Sequence, residues 1–168
     1  MAVRLRYPLL LVHGLGYRDD KAISYWGRIP QTLEELGCQV FLSGQDGGGN
    51  VAANGAQLAR RIQEILEQTG AEKVNIIAHS KGGLDSRYAI SSLNMAPFVA
   101  SLTTIATPHH GSKTVDLLMK LPDPVVRLAR ACADGWFRFL GDRDPSSYEI
   151  FHSFTTEKSQ AFNAQNPD

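Results

Sequence analysis

Short strand-like runs alternate with amphipathic helical stretches along the first two thirds of the chain. Four such runs are mostly apolar, and the third is also rich in Cβ-branched residues, which predicts buried parallel strands. They are residues 8–12, 39–43, 74–78 and 101–106. Between them, apolar residues recur every three or four positions, and the predicted helices end at Gly37 and Gly70. The alternation predicts an α/β fold with a mostly parallel sheet and helices on both faces.

The last third of the chain has a helical pattern and contains no further clear strand. An apolar stripe predicts one long helix, preceded by a shorter helix. The stripe consists of Val125, Ala129, Cys132, Trp136 and Phe139. We therefore expect two parts, a core at residues 1–112 and a helical cap at residues 113–168. The tail of the cap, residues 162–168, resembles an internal loop of a longer domain.

Composition and charge exclude several classes of protein. The chain has 168 residues, of which 43% are hydrophobic, which suits one core of ordinary size. Lys+Arg and Asp+Glu both number 17 and the net charge is +0, so neither nucleic acid nor an anionic membrane is expected as an electrostatic partner. Cys38 and Cys132 suggest neither a disulfide framework nor a metal cluster. We expect both to be small buried hydrophobic residues.

The amino terminus leaves two alternatives for localisation. The apolar stretch after Pro8 is too short to span a membrane, and it lacks the pattern of a signal-peptide cleavage site. We expect either a cytoplasmic protein or an exported one whose signal lies outside the given sequence.

Candidate chemistry centres on residues 76–83, Ile-Ile-Ala-His-Ser-Lys-Gly-Gly. Ser80 lies between a predicted strand and a predicted helix, with the small residues Ala78 and Gly82 two positions away on each side. This is the spacing of a nucleophile elbow, Gly-x-Ser-x-Gly, in which a strained turn exposes the serine Oγ at the end of a sheet. The alternative is a serine that only caps an ordinary helix.

Two glycine-containing loops do not match nucleotide-binding motifs. The loop after the first strand, residues 13–20, has Asp19 where a dinucleotide fingerprint needs its third glycine. Residues 44–50 lack the Gly-Lys-Ser/Thr ending of a phosphate-binding loop, and we expect them to form a flexible connection near the rim of the cleft. We expect His13 to be satisfied by loop backbone rather than to transfer protons.

Three stretches together resemble motifs of bacterial lipases and esterases of the α/β-hydrolase superfamily, in the order in which that family has them. The stretches are residues 8–16, 78–83 and 104–112. The resemblance covers roughly residues 7–112. It implies that Ser80 is the nucleophile and that the backbone N–H groups of Leu15 and Lys81 form the oxyanion hole. Lys81 stands where many relatives carry Gln, but only its backbone N–H is needed.

The resemblance also implies roles for the cap and for residues around the nucleophile. In lipase relatives, helices inserted after the fourth strand form a lid. We therefore expect residues 113–168 to cover an apolar acyl site and to open in transient contact with a lipid surface. The alternative is a set of helices packed permanently on the core. The residues implied to bind substrate are His13, Gly14, His79, Trp136 and Phe139.

The reaction implied by the resemblance is acyl transfer. A histidine takes the proton of Ser80, Oγ attacks an ester carbonyl, and the resulting acyl-enzyme is hydrolysed. Losing one oxyanion-hole donor typically costs about 3 kcal/mol of transition-state stabilisation. This chemistry needs neither a metal ion nor an organic cofactor. The expected substrate is a triacylglycerol or a shorter acyl ester, and thioester cleavage on the same scaffold is an alternative.

The acid and the base of the catalytic triad are where the sequence departs from the family. In this superfamily they follow the nucleophile, the Asp or Glu before the His. His109 and His110 are expected loop residues. His152 follows Asp142 and Asp144, but too few residues separate them to form a helix and a strand. We expect an amino-terminal portion that lacks the carboxy-terminal strands, with Asp and His on missing sequence or on a second chain. A non-catalytic α/β fragment or binding module is the alternative, because a serine without a base is a poor nucleophile.

Overall fold

A parallel sheet lies at the centre of the computed structural model, which describes residues 5–16, 25–142 and 145–167. Its four strands are hydrogen-bonded in the order β2-β1-β3-β4, and all three pairs are parallel. The strands are β1, Leu9–Val12; β2, Val40–Leu42; β3, Val74–His79; and β4, Val99–Ile105. The predicted strands and the α/β class are confirmed.

Seven α-helices and one short 3₁₀ helix, Ala96–Phe98, are present in the described part of the chain. The α-helices are α1, Ile29–Glu35; α2, Val51–Thr69; α3, Lys81–Ser92; α4, Lys113–Leu118; α5, Asp123–Phe139; α6, Ser147–Ser153; and α7, Thr156–Gln165. Local sequence explains the ends of α2, because the Asn50 side chain accepts a hydrogen bond from Ala53 N–H at 2.8 Å. At its other end Gly70 adopts the left-handed conformation, with φ of 69°.

Helices cover both faces of the sheet. The larger core cluster joins the sheet to α2 and α3, and a smaller cluster lies on the opposite face, next to α1. The larger cluster consists of Leu10, Val12, Leu58, Ile62, Ile65, Val74, Ile76, Ala78, Ala89 and Met95. The smaller one consists of Leu9, Leu11 and Trp26. Alternate residues of β1 therefore enter opposite clusters, and all four are buried, as expected for a central parallel strand.

The segment after β4 packs on the core through a third apolar cluster. Leu84 of α3 and the cap residues Ile150 and Phe154 form its buried centre. Leu15, in the loop after β1, packs against this centre from the core side. The cap therefore sits beside the carboxyl ends of β1 and β3, where parallel sheets bind ligands.

The apolar stripe of α5 faces outward, contrary to the usual meaning of such a pattern. Trp136 and Phe139 are 57% and 80% exposed, whereas Phe137, outside the stripe, is buried at 6%. The expectation of a buried Cys132 is wrong, because this residue is exposed, while that of a buried Cys38 is confirmed. Periodicity identified the helix correctly, but for α5 it did not identify the side that packs on the core.

Two other expectations are corrected by packing. The loop at residues 44–50 is largely buried rather than a loose connection, with Gln45 1% exposed. The tail expected to be an internal loop continues α7 to Gln165, and the following Asn166 is buried. Arg87 of α3 fixes this tail, because its guanidinium donates to Asn163 Oδ1 at 2.7 Å and to Asn166 O at 2.6 Å.

None of the helices in the described ranges is long and apolar enough to span a membrane.

Candidate active site

Ser80 occupies a strained turn between β3 and α3. Its backbone has φ of 52° and ψ of −126°, a conformation that non-glycine residues seldom adopt. Two contacts with the end of β4 hold this turn, since Ser80 N–H donates to Ile105 O and the Thr107 hydroxyl donates to Ser80 O, both at 2.8 Å. Ser80 itself is only partly buried. The turn has the geometry of the predicted nucleophile elbow.

Small residues around Ser80 let three segments of backbone approach each other. A Cβ on Gly82 would overlap the carbonyl oxygen of His13, and one on Gly83 would overlap the Thr107 hydroxyl. A Cβ on Gly14 would lie 2.9 Å from Ser80 Cβ. Only glycine therefore fits these positions without movement of a neighbouring group, and the loop after β1 lies directly against the elbow.

The two residues predicted to donate to an oxyanion lie on either side of this contact. Lys81 is the first residue of α3, so its N–H lies in the helical turn whose N–H groups have no partner within the helix. Leu15 follows Gly14, which touches the elbow. The positive end of the α3 dipole favours negative charge here. The position suits stabilisation of an oxyanion formed next to Ser80 Oγ.

Tyr25 connects the loop after β1 with the nucleophile elbow. The sequence analysis did not identify this residue. Its hydroxyl accepts a hydrogen bond from Gly14 N–H at 3.0 Å and also bonds Nδ1 of His79. The residue before the nucleophile is thus connected to the loop that contains Leu15. Nothing in the spacing around Tyr25 indicates this contact, because it joins positions that are far apart in the chain.

His13 holds the loop after β1 rather than facing the surface. Its ring is fully buried, with Nδ1 2.8 Å from Gly14 O and Nε2 3.1 Å from Gln45 O. Gln45 in turn donates from Nε2 to His13 O at 2.9 Å. These contacts agree with a histidine satisfied by loop backbone, and its implied contact with substrate stays a prediction.

A buried ion pair that the sequence analysis did not identify lies within the first turns of α3. Lys81 Nζ is 2.7 and 2.9 Å from the two carboxylate oxygens of Asp85, and each side chain is 1% exposed. Asn54 of α2 donates from Nδ2 to Asp85 Oδ2 at 3.1 Å. Burial lowers the pKa of Lys81 and raises that of Asp85, in each case against the attraction of the partner.

The loop at residues 44–50 also binds the cap. The carboxylate of Asp142, just after α5, accepts hydrogen bonds from the N–H groups of Gly47, at 3.2 Å, and Gly48. The ring of Phe137 packs on the same loop, where a Cβ on Gly48 would lie 2.6 Å from it. Asp142 therefore fixes the cap to the loop, and Asp144 lies outside the described residues.

The other candidate residues from the sequence lie on the helices of the cap. Trp136 and Phe139 pack against each other, with ring centroids 5.8 Å apart, on the exposed side of α5. Their contact with substrate stays a prediction. His152 of α6 stacks on Tyr148, with ring centroids 5.4 Å apart. Within the described residues no group of three or more His, Cys, Asp or Glu side chains could hold a metal ion.

A parallel α/β sheet with a strained serine at the end of a central strand is the arrangement of the α/β hydrolases. Residues 7–168 match the alpha/beta hydrolase fold family, and the chain belongs to that family.

Known proteins similar to this chain are longer than it. A triacylglycerol lipase of Pseudarthrobacter phenanthrenivorans is 44% identical over 119 residues, which are 67% of this chain and 36% of the lipase. A triacylglycerol lipase of Burkholderia plantarii is also 44% identical over 119 residues, with 67% and 32% covered. The chain thus spans about a third of the length of these relatives.

A solved structure shows the same architecture over the whole chain. The mature form of the Bacillus licheniformis lipase BlEst2 superposes with a TM-score of 0.73 at 25% sequence identity. The superposition covers 100% of this chain and 62% of that lipase. The helical segment after β4 is therefore included in the likeness.

Proposed function

We propose that this chain supplies the nucleophile and the oxyanion hole of a serine carboxylic-ester hydrolase, a lipase or an esterase. The observation that carries the proposal is the positive φ of Ser80, 52°, at the junction of β3 and α3. Strain of this kind persists only where the surrounding structure imposes it, and it is common at catalytic nucleophiles. The relatives are triacylglycerol lipases and a lipase by name, which supports an acyl ester as the substrate.

The geometry suits a two-step acyl transfer. Ser80 Oγ attacks the carbonyl carbon while a general base takes its proton, and the carbonyl oxygen becomes an oxyanion. The N–H groups of Leu15 and Lys81 stabilise that oxyanion until the C–O bond to the leaving alcohol breaks and the protonated base returns a proton to the alcohol. Water then attacks the acyl-enzyme by the same route. A thioester would react in the same way, with a thiol as leaving group.

We propose that the base and the acid of the triad come from sequence beyond this chain or from a second chain. The environments of the chain's histidines support this, because each is engaged or placed elsewhere. His13 bonds loop backbone, His79 bonds Tyr25, and His109 bonds Thr104 at 3.0 Å. His110 lies exposed in the loop after β4, and His152 stacks on the cap.

We further propose that residues 113–168 form a lid that contacts lipid. Large apolar side chains on its outer side support this, with Leu117 67%, Leu128 68% and Phe139 80% exposed. Helices α4, α5 and α6 also line an open apolar pocket of about 160 Å³. Movement of the lid at a lipid surface would bury the exposed side chains and bring an acyl chain to this pocket.

Active-site labelling tests the proposal on the protein expressed from its complete reading frame. A fluorophosphonate should modify Ser80 stoichiometrically, and Ser80→Ala should lose both the label and p-nitrophenyl ester hydrolysis. Ser91→Ala, on the same helix, is the matched control and should keep both. An unlabelled wild-type protein would support a non-catalytic binding module instead. Hydrolysis of an acyl thioester at rates above those for esters would assign the alternative acyl-transfer activity.

The lid proposal has its own test. Leu117→Ser and Leu128→Ser together should weaken activity on emulsified triacylglycerol while leaving hydrolysis of a soluble short-chain ester unchanged. Equal effects on the two substrates would argue against contact of α4 and α5 with a lipid surface.

A further inference from the structure

The buried ion pair between Lys81 and Asp85 has no evident role in the acyl-transfer chemistry itself. An oxyanion hole needs only the backbone N–H of Lys81, and a residue with a neutral side chain would provide this N–H equally well. Burying both charges is unfavourable, since each loses its hydration. Yet both side chains are 1% exposed, and Lys81 Nζ contacts both oxygens of the carboxylate. The location of the pair offers an explanation.

The pair fixes the side chain of a residue whose main chain is part of the site. Lys81 and Asp85 are one helical turn apart, so the ion pair holds the Lys81 side chain along the first turn of α3. The carboxylate of Asp85 has a second partner, because its Oδ2 also accepts a hydrogen bond from Asn54 Nδ2 at 3.1 Å. A charged acceptor makes this bond stronger than one to a neutral oxygen would be.

Asn54 carries the connection to the loop between β2 and α2. Its Nδ2 also donates to Asp46 O at 2.8 Å. Gln57, one turn farther along α2, donates to Asp46 Oδ2 at 2.9 Å. This loop, residues 44–50, is therefore held against the start of α3 through one amide side chain.

The same loop bonds the segment that contains the other predicted donor. Gly16 N–H donates to Gly47 O at 3.0 Å, and His13 and Gln45 exchange the two contacts described above. These bonds lie on both sides of Leu15. A chain of contacts thus runs from Lys81 through the loop between β2 and α2 to the residues that flank Leu15.

We propose that Lys81 and Asp85 are positioning residues, whose ion pair holds this loop in place and so sets the separation between the N–H groups of Lys81 and Leu15. The inference rests on the proposed function, because it concerns the oxyanion hole of the same site. An oxyanion hole works only where its donors are held at hydrogen-bond distance before the reaction, and a displacement of about 1 Å can cost on the order of a hundredfold in rate. The pair acts before the reaction and contacts no reacting atom.

Kinetics of the protein expressed from its complete reading frame test this inference. The double variant Lys81→Met/Asp85→Leu replaces both charges with apolar side chains, and Asn54→Ala removes the connection while leaving the pair. Both should lower kcat on p-nitrophenyl butyrate by roughly tenfold to a hundredfold with KM nearly unchanged. The Ki of an alkylboronic acid, which forms a tetrahedral adduct with Ser80, should rise by the same factor.

A matched control comes from an exposed pair on α2, Arg61 and Glu64, whose nearest charged atoms are 3.1 Å apart. Glu64→Gln should change neither kcat nor Ki. A folded double variant with wild-type kcat and Ki would overturn the inference, whatever its melting temperature. If the double variant does not fold, Asn54→Ala decides in the same way.

The outcome also separates this inference from the proposed function. Failure of the fluorophosphonate to label wild-type Ser80 removes both. Labelled wild-type protein together with variants of unchanged kcat removes only the positioning role.

Discussion

The hydroxyl of Tyr25 accepts a hydrogen bond from the backbone N–H of Gly14 at 3.0 Å. Because the same hydroxyl bonds His79, it connects the residue before Leu15 with the residue before Ser80. Tyr25→Phe keeps the ring but leaves Gly14 N–H without this acceptor. A hydrogen bond of this kind contributes about 1 kcal/mol, so kcat/KM for a soluble ester should fall roughly fivefold.

Tyr7→Phe is the control for this substitution. Tyr7 precedes β1 and lies at the opposite end of the sheet from Ser80, with the Arg6 guanidinium 5.1 Å from its ring centroid. It should retain wild-type kinetics. An equal loss of activity in both variants would show that the effect is general destabilisation rather than a change in the connection between the two loops.

Gly82→Ala should abolish activity and destabilise the protein. The added Cβ would overlap His13 O and lie 2.9 Å from Val12 Cγ1, and both belong to a buried segment that has no space to move. Gly135→Ala is the matched substitution, since its Cβ meets nothing within 4 Å inside α5. There the change should raise stability by about 1 kcal/mol, as for other glycines in helix interiors. Urea denaturation of both variants checks the pair, and a stable, active Gly82→Ala protein would contradict the close approach.

The elbow could be predicted from sequence because its requirements are local. The positive φ of Ser80 and the close approach at Gly82 both appear as residue types within a few positions of the nucleophile. Amphipathic periodicity likewise predicted α2, whose buried residues lie on one face and whose end falls at Gly70. Such features depend on neighbours in the chain, which a sequence displays directly.

The contacts that support the site are not local, and for this reason sequence reasoning missed them. Tyr25 and His79 are 54 positions apart, and Asp142 is 94 positions from Gly48. The i,i+4 spacing of Lys81 and Asp85 was visible, but such a pair usually lies on an exposed helix face. Only the packing of α2 and the loop between β2 and α2 against α3 shows that this pair is buried.

Substituting one residue of the ion pair should destabilise the protein more than substituting both residues. Lys81→Met leaves the Asp85 carboxylate buried without its cation, which should destabilise the protein by about 3–5 kcal/mol. The double variant Lys81→Met/Asp85→Leu should be about as stable as wild type or more stable. Denaturation midpoints of the single and double variants measure the difference. Equal midpoints for the two would mean that Asp85 finds another partner.

Stability should also depend on pH through this pair. Burial lowers the pKa of Lys81 below its ordinary value. In the alkaline window below that ordinary value, the unfolded state therefore binds more protons than the folded state, and the stability of the protein rises with pH. Burial raises the pKa of Asp85, so the folded state binds more protons in the window above the ordinary aspartate value, and stability falls as pH rises through it. Relative to the double variant, wild type should therefore be least stable near neutral pH. A wild type that is most stable near neutral pH, relative to the double variant, would contradict both signs.

Substitutions of two phenylalanines on α5 distinguish a residue that attaches the cap to the core from one on the outer surface of the cap. Phe137 is 6% exposed and packs on Gly48, whereas Phe139, two residues later, is 80% exposed. Phe137→Ala should cost about 3 kcal/mol, because it leaves a cavity between the cap and the loop that also binds Asp142. Phe139→Ala should change stability by less than about 0.5 kcal/mol. Hydrogen exchange should show faster opening of α5 in the first variant only, and equal protection in both would mean that Phe137 does not hold the cap.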